Sequence, residues 1–166
     1  IILNGQTLFP LGPIPYTLFP KKGGRALDEF DQDSWEEVGR LLGRIHLVGA
    51  THQSSRRITW RPAVATQHHL ETLLGAGFLL PDFKKSFQQV AELFIKKADP
   101  QFSAQDFILL HGDCHKGNLI HRPGEGIYLV DFDDLSFGPP VQDVWLLLPD
   151  APEKSENELE WLLKGS

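Results

Sequence analysis

The sequence predicts an α+β fold in which short strands accompany a larger helical part. Residues 33–48 and 82–97 repeat apolar side chains at three- and four-residue spacing, as amphipathic helices do. Residues 107–110 form an apolar run typical of a buried strand, and residues 119–122 and 127–132 flank a Pro-Gly-Glu-Gly turn typical of a hairpin. At 166 residues and 41% hydrophobic content, the chain is about one domain with enough apolar residues for a core.

Weaker signals cover the segments between these elements. Two strands are predicted over residues 1–9 and 16–19, separated by a proline-rich turn at residues 10–15. Residues 51–62 are polar and are predicted to form a solvated loop, although their arginines are also suited to a substrate phosphate. Residues 66–80 are predicted to form one or two short helices interrupted by glycine.

The helices also yield expectations for single side chains. His46, near the end of the first helix, is predicted to pack or to cap rather than to bind a ligand. An apolar stripe on the second long helix is predicted to lie in the core; it consists of Phe83, Phe87, Val90, Ala91 and Phe94.

Three further elements are expected towards the C-terminus. Residues 135–140 contain a glycine and two prolines and are predicted to be a loop. Asp143 is a candidate N-cap for a short apolar helix over residues 144–148. A last helix is predicted over residues 155–164.

Composition and charge narrow the functional classes. The net charge of −6 argues against a protein that binds nucleic acid through a basic face. No apolar run reaches the ~18 residues that a membrane span needs. A single cysteine, Cys114, permits no internal disulfide and fits a reducing cytosol, so a cytoplasmic location is expected. A monomer is also expected.

Three polar residues follow one another in the central stretch, at residues 107–134. Asp113 and Asn118 are five residues apart, which is the spacing between the base and a metal ligand in the catalytic loop of kinases. Asp131 follows at the end of a second apolar run, where a metal-binding aspartate is expected. The arrangement suits phosphoryl transfer from a magnesium nucleotide.

The chemistry of that reaction explains these residue types. Magnesium prefers oxygen ligands and is usually held by one or two side chains together with phosphates and water, so the Asn118 amide oxygen and the Asp131 carboxylate are suitable ligands. Asp113 remains available to orient and deprotonate an attacking hydroxyl. The catalytic candidates are therefore Asp113 and Asp131, and the metal candidates are Asn118 and Asp131.

Zinc binding and nucleophilic catalysis are two other interpretations of the same stretch. His111, Cys114 and His115 are residue types that zinc favours, but no second cysteine or paired histidine string accompanies them. A nucleophilic Cys114 lacks a recognisable triad. Because side chains alternate along a strand, Asp133 is predicted to lie on the same side as Asp131 and to act as an auxiliary group.

Three strings, in a fixed order, carry a family resemblance. They are HGDCHKGN at 111–118, VDFDD at 130–134 and GPPVQD at 138–143. Together they resemble the aminoglycoside phosphotransferase/choline kinase group of the protein-kinase-like fold, and within it the bacterial stress response kinase A family of serine/threonine kinases. FPKKGGR at 19–25 and GRLLGRIH at 39–46 resemble the hinge and the first large-lobe helix of that family.

The resemblance implies a protein-kinase-like fold of the aminoglycoside phosphotransferase type. Residues 1–19 would end the small-lobe sheet, residues 20–25 would be the hinge, and residues 26–166 would form a truncated large-lobe core. The chain lacks methionine and has no glycine-rich loop or strand lysine before the hinge, so a fragment is expected.

The resemblance also implies roles for single residues. ATP would place its adenine at the hinge, beside Phe19, Pro20 and Lys21. His111 is expected to pack and hydrogen-bond within the loop, and Asp143 to brace that loop by accepting backbone hydrogen bonds.

The resulting functional hypothesis is an ATP- and Mg²⁺-dependent serine/threonine protein kinase of a bacterial stress response. Only the resemblance favours a protein acceptor. The alternatives are a small-molecule kinase acting on a hydroxyl of an aminoglycoside, choline or homoserine, and a kinase-like module that binds a partner without catalysis.

Overall fold

Five α-helices and six short strands build the fold in this computed structural model, which describes residues 2–3, 5–27, 29–102 and 106–166. The helices are α1 (Gln32–Gly49), α2 (Gln67–Gly75), α3 (Pro81–Ala98), α4 (Val141–Trp145) and α5 (Glu156–Gly165). The strands are β1 (Leu8–Leu11), β2 (Ile14–Thr17), β3 (Ile108–Leu110), β4 (Leu119–Arg122), β5 (Gly126–Leu129) and β6 (Ser136–Gly138). The predicted α+β class is confirmed.

Helix α1 is the element on which the core is built. It begins after Asp31, whose carboxylate accepts a hydrogen bond from the backbone N–H of Ser34 at 2.9 Å. One face of the helix is buried, and the core cluster consists of Trp35, Val38, Leu42, Cys114, Leu119, Ile127, Leu147 and Leu162. Among the described residues, no helix combines the length and apolar character that crossing a membrane requires.

Two glycines bring the backbone of α1 into direct contact with its neighbours. A Cβ atom on Gly39 would collide with the Leu162 carbonyl of α5, and a Cβ on Gly49 would collide with the Leu109 carbonyl of β3. Because β3 leads directly to residue 111, this close packing fixes the position of the predicted catalytic loop relative to α1.

Strands β1 and β2 form an exposed antiparallel ribbon whose bounds differ from the strands predicted over residues 1–9 and 16–19. Pro10 lies opposite Pro15 and Leu11 opposite Ile14, so the turn consists only of Gly12 and Pro13. The predicted turn over residues 10–15 is therefore wrong at both ends. Proline is tolerated within these strands because each of them is an edge strand.

The segment predicted to be a loop at residues 135–140 contains strand β6. It pairs antiparallel with β3, from Ile108 opposite Gly138 to Leu110 opposite Ser136. The prediction was wrong because a three-residue strand that includes a glycine carries no measurable alternation of apolar and polar residues.

The other edge of β6 is occupied by part of the segment predicted to be a solvated loop. The Phe137 N–H donates to the Ile58 carbonyl at 2.8 Å, and the Trp60 N–H donates to the Phe137 carbonyl at 2.6 Å. The Trp60 indole also donates to the Ser136 hydroxyl at 2.8 Å. The prediction thus fails for residues 58–60, because the unpaired backbone of β6 offers them hydrogen bonds, whereas residues 51–57 are exposed.

Helix α3 differs most from expectation, because its apolar stripe is not in the core. Phe83 is 65% exposed, Val90 68% and Phe94 53%. Among the described elements, the helix packs mainly against α2 and against the short turns at residues 62–66 and 99–101. Helical periodicity locates an apolar face but does not say which element covers it, and that is why the core assignment was wrong.

The contact between α1 and β3 predicts a stability effect. Replacing Gly49 with alanine should lower the free energy of unfolding by about 1–3 kcal/mol, because the added methyl group overpacks the Leu109 carbonyl. Gly75→Ala is the matched control, since open space surrounds Gly75 and alanine favours helix by up to about 1 kcal/mol. Urea unfolding measures both variants, and equal stabilities would contradict the contact.

Candidate active site

The loop between β3 and β4 is fixed by one buried carboxylate. Asp143 is completely buried, and its Oδ2 accepts the backbone N–H of His111 at 3.0 Å while its Oδ1 accepts that of Gly112 at 2.9 Å. Hydrogen bonds to an ionised carboxylate are stronger than those between neutral groups. The backbone of the first two residues of the loop is therefore fixed by the Asp143 side chain.

Asp143 does not cap its helix. It is the third residue of α4, which begins at Val141 after Pro140, so the predicted helix start at 144 and the capping role are wrong. The carboxylate turns away from the helix end because the loop offers it two backbone donors.

His46 completes this arrangement, and sequence reasoning missed its role. Its Nε2 lies 3.0 Å from Oδ2 of Asp143, across 97 positions of the chain. An ionised carboxylate can only accept, so Nε2 carries the proton. The only local signal was a histidine in the last turn of α1, which indicates a cap equally well.

Gly112 is needed for the loop to lie against the following acidic segment. Its φ of +89° falls in the left-handed region, and a Cβ atom there would collide with the Asp134 carbonyl. The loop and the turn over Phe132–Asp134 are therefore in backbone contact.

His111 connects the same loop to the residue before Asp131. The ring is fully buried, its Nδ1 accepts the Asp113 N–H at 3.3 Å, and its Nε2 donates to the Val130 carbonyl at 2.9 Å. It also packs edge-on against Phe132, with 4.6 Å between the ring centroids. One side chain thus sets the distance between the backbone at residue 113 and the backbone at residue 130.

Asn118 provides a second connection between the same two places. Its amide nitrogen donates to the Asp113 carbonyl at 2.9 Å and lies 3.3 Å from Oδ2 of the Asp113 carboxylate. Its backbone carbonyl accepts the Val130 N–H at 3.0 Å. Within the described residues its amide oxygen accepts no hydrogen bond, and that oxygen remains available to a cation.

Asp131 occupies an unusual backbone conformation. Its φ of 67° and ψ of 65° make it the one non-glycine residue with positive φ in the described part of the chain. The strand before it ends at Leu129, and residues 132–134 form a 3-10 turn, so the predicted strand over 127–132 is too long. The alternation argument that placed Asp133 beside Asp131 fails for the same reason.

A cleft of about 400 Å³ opens beside Asp113. Its lining includes two arginines, Arg56 and Arg57, and two aspartates, Asp133 and Asp134. Arg57 donates to the backbone carbonyl of Asp133 at 2.7 Å, so the loop after α1 is tethered to the acidic turn. Charges of both signs therefore line the approach to Asp113.

The predicted hinge residues are not among those that line this cleft. Phe19, Pro20 and Lys21 are all exposed and follow β2 without regular structure. The segment rejoins the fold at Arg25, which forms a two-way backbone bridge with His121 of β4.

The donor set around the loop suits a hard cation better than zinc. In the described ranges, no three His, Cys, Asp or Glu side chains converge as a protein-built metal cage would require. Two oxygen-bearing side chains, Asn118 and Asp131, match the sparse protein ligation typical of magnesium. Burial, and then the negative charges of Asp143 and Asp113, raise the pKa of Cys114, so its thiol stays protonated and is a poor nucleophile or metal ligand.

The fold and this arrangement are those expected of a kinase-like phosphotransferase. The chain belongs to the phosphotransferase enzyme family, whose model matches residues 2–163. It is 34% identical to stress response kinase A of Salmonella choleraesuis over 99% of this chain and 50% of that protein. Serine/threonine protein kinase RdoA of Salmonella typhimurium is also 34% identical, and stress response kinase A of Escherichia coli is 33% identical, with the same coverage. The chain therefore spans about half the length of the curated relatives it matches.

Solved structures show the fold. An amicoumacin kinase in complex with AMP-PNP and Ca²⁺ superposes with a TM-score of 0.68 at 20% identity, covering 97% of this chain and 52% of that one. A spectinomycin phosphotransferase in complex with ADP and spectinomycin gives 0.60 at 17% identity, covering 98% and 56%. These matches confirm the predicted protein-kinase-like fold of the aminoglycoside phosphotransferase type.

The two hydrogen bonds from the loop backbone to Asp143 predict that a small change in this side chain lowers the stability of the fold. Asp143→Asn keeps the side-chain shape but makes an amide NH₂ face one of the backbone donors, His111 or Gly112. A buried donor without an acceptor costs about 1–3 kcal/mol, so the free energy of unfolding should fall by about that amount. Urea unfolding tests this against Glu153→Gln, an exposed carboxylate-to-amide change expected to stay within about 0.5 kcal/mol of wild type. Equal unfolding midpoints for the two variants would show that the hydrogen bonds to Asp143 do not stabilise the fold.

Proposed function

We propose that the whole protein is an ATP- and Mg²⁺-dependent kinase that transfers the γ-phosphoryl group to a serine or threonine hydroxyl. The observation that carries the proposal is the joining of Asp113, Asn118 and the backbone before Asp131 by direct hydrogen bonds. These connections support one reaction centre with a base and two oxygen ligands, which is the minimum that phosphoryl transfer requires.

Each side chain has one task in this mechanism. Asp113 accepts the proton of the acceptor hydroxyl as its oxygen attacks the γ-phosphorus and the bond to the ADP oxygen breaks. Asn118 and Asp131 would hold the magnesium ion, which would supply charge neutralisation at the phosphates. His111 and Asp143 keep the loop in register for these contacts.

The nucleotide would approach from the side of β1 and β2. We place its adenine at the backbone of Phe19–Lys21, because this exposed segment links the β1–β2 ribbon to β4 through the bridge at Arg25. The position of β4 supports this placement, since that strand begins directly after Asn118.

A small hydroxyl compound is the second candidate acceptor. The structural neighbours favour it, because they are an amicoumacin kinase and a spectinomycin phosphotransferase. The protein acceptor is preferred because the relatives above 30% identity are named stress response kinase A and serine/threonine protein kinase. The open cleft with charges of both signs is compatible with either acceptor.

A transfer assay with the full-length protein separates the candidates. Labelled ATP and Mg²⁺ should yield phosphoserine or phosphothreonine on the protein itself or on a generic protein substrate. Label found only on a small alcohol, such as an aminoglycoside or choline, would favour the second acceptor class. No transfer to either acceptor would overturn the kinase proposal and favour a binding module.

The role of Asp113 predicts a separation of binding from chemistry. Asp113→Asn in the full-length protein should reduce kcat by about 100-fold or more, because general base catalysis contributes factors of about 10²–10⁴. The nucleotide dissociation constant should stay within about threefold of wild type, since Asn118 and Asp131 are unchanged. Steady-state transfer and titration with a fluorescent nucleotide measure the two quantities. Full activity in this variant, with Glu153→Gln as the control, would exclude Asp113 as the base.

The role of Asp131 predicts the opposite pattern. Asp131→Ala should abolish the part of nucleotide binding that depends on Mg²⁺, because half of the proposed protein ligand set is lost. Calorimetric titration of ATP with Mg²⁺ and with EDTA measures that part. A variant that retains the wild-type Mg²⁺ dependence would show that Asp131 does not hold the metal.

A further inference from the structure

His115 makes two contacts with its two ring nitrogens. The Nδ1 atom accepts the backbone N–H of Gly117 at 2.9 Å, which makes His115 the N-cap of the turn Lys116–Asn118. On the other side of the ring, Nε2 lies 3.4 Å from Oδ2 of Asp113. The histidine therefore stands between the turn that carries Asn118 and the carboxylate of the proposed base.

The first contact determines the protonation of the second nitrogen. A ring nitrogen that accepts a hydrogen bond carries no proton, so the neutral imidazole holds its proton on Nε2. Nε2 is also the nitrogen next to the Asp113 carboxylate, a contact that falls short of hydrogen-bond geometry in this structure. Hydrogen bonds in a catalytic site are often long before substrate binds and shorten in the reacting complex, which suits a separation of 3.4 Å.

The two oxygens of Asp113 are consequently unlike. Oδ2 is approached by His115 at 3.4 Å and by the Asn118 amide nitrogen at 3.3 Å. Among the described residues, Oδ1 accepts no hydrogen bond. Oδ2 is therefore the oxygen that has neighbours, and turning the carboxylate about its Cβ–Cγ bond would break its contacts with His115 and Asn118.

We propose that His115 is a positioning residue, which together with Asn118 holds Oδ2 of Asp113 so that Oδ1 takes the acceptor proton. This inference rests on the proposed kinase function. It goes further by giving a role to a residue outside the base and the metal ligands. The neighbouring Lys116 is directed elsewhere, since its ammonium lies 5.0 Å from the Phe30 ring and 4.9 Å from the Trp35 ring.

A structural role and a positioning role require different nitrogens of the His115 ring. As the cap of the turn, only Nδ1 matters, whereas positioning Asp113 requires only Nε2. The amide of asparagine reaches the place of Nδ1, and the amide of glutamine reaches the place of Nε2. The variants His115→Asn and His115→Gln therefore separate the two roles.

The test compares these variants in the full-length protein. His115→Gln should keep kcat within about threefold of wild type, and His115→Asn should lower it about tenfold, the effect of one hydrogen bond of ordinary strength. The KM for ATP and the Mg²⁺-dependent nucleotide affinity should change less than twofold in both. If His115→Asn is fully active, or if both variants lose kcat equally, the proposal is overturned.

Two further measurements keep its failure distinct from failure of the proposed function. In the Asp113→Asn background, His115→Asn should cause no additional loss of kcat, because its partner carboxylate is already gone; an additive loss would overturn the proposal. Nitrogen-15 spectra of the ring report the tautomer without any assay of transfer. A protonated Nε2 and unprotonated Nδ1 are expected, and the reverse tautomer would overturn the proposal even in an active kinase.

Discussion

The whole site depends on the buried carboxylate of Asp143. A charge with no exposure to solvent is costly unless it is fully hydrogen-bonded, and three donors surround this one: two backbone N–H groups of the loop and the ring of His46. Because the penalty for an unpaired carboxylate is several kcal/mol, the loop and α1 are both held to it. The start of the loop, the end of α1 and the first turn of α4 thus form one rigid unit.

Hydrogen bonds connect that unit to the residues proposed to react. His111 joins the backbone at Asp113 to the Val130 carbonyl, and Asn118 joins the same two places from the other side. The proposed base and the proposed metal ligands are therefore positioned by neighbours that are themselves buried. Chemistry that needs placement within a fraction of an ångström requires this kind of support.

The sequence was sufficient for the features that depend on neighbours in the chain. The spacing of Asp113 and Asn118, the hairpin and the long helices all follow from local pattern, and the structure contains them. It was insufficient where distant segments meet. His46 and Asp143 are 97 positions apart, β6 is too short to show a period, and the face of α3 gives no sign of what covers it. The alternation argument for Asp133 does not hold, because the strand ends at Leu129 and Asp131 has a left-handed backbone.

The left-handed backbone conformation of Asp131 bears on the proposed metal site. Such a conformation costs a non-glycine residue about 1 kcal/mol or more, and it persists only where the surroundings enforce it. Here the enforcement is visible, since Val130 is bound on both sides, by His111 and by Asn118. Yet the Asp131 side chain is exposed and, within the described residues, forms no hydrogen bond or ion pair that would offset the cost. A strained residue whose carboxylate has no partner among the described residues fits the metal-ligand role proposed for Asp131, because carboxylate oxygens are ligands that magnesium prefers.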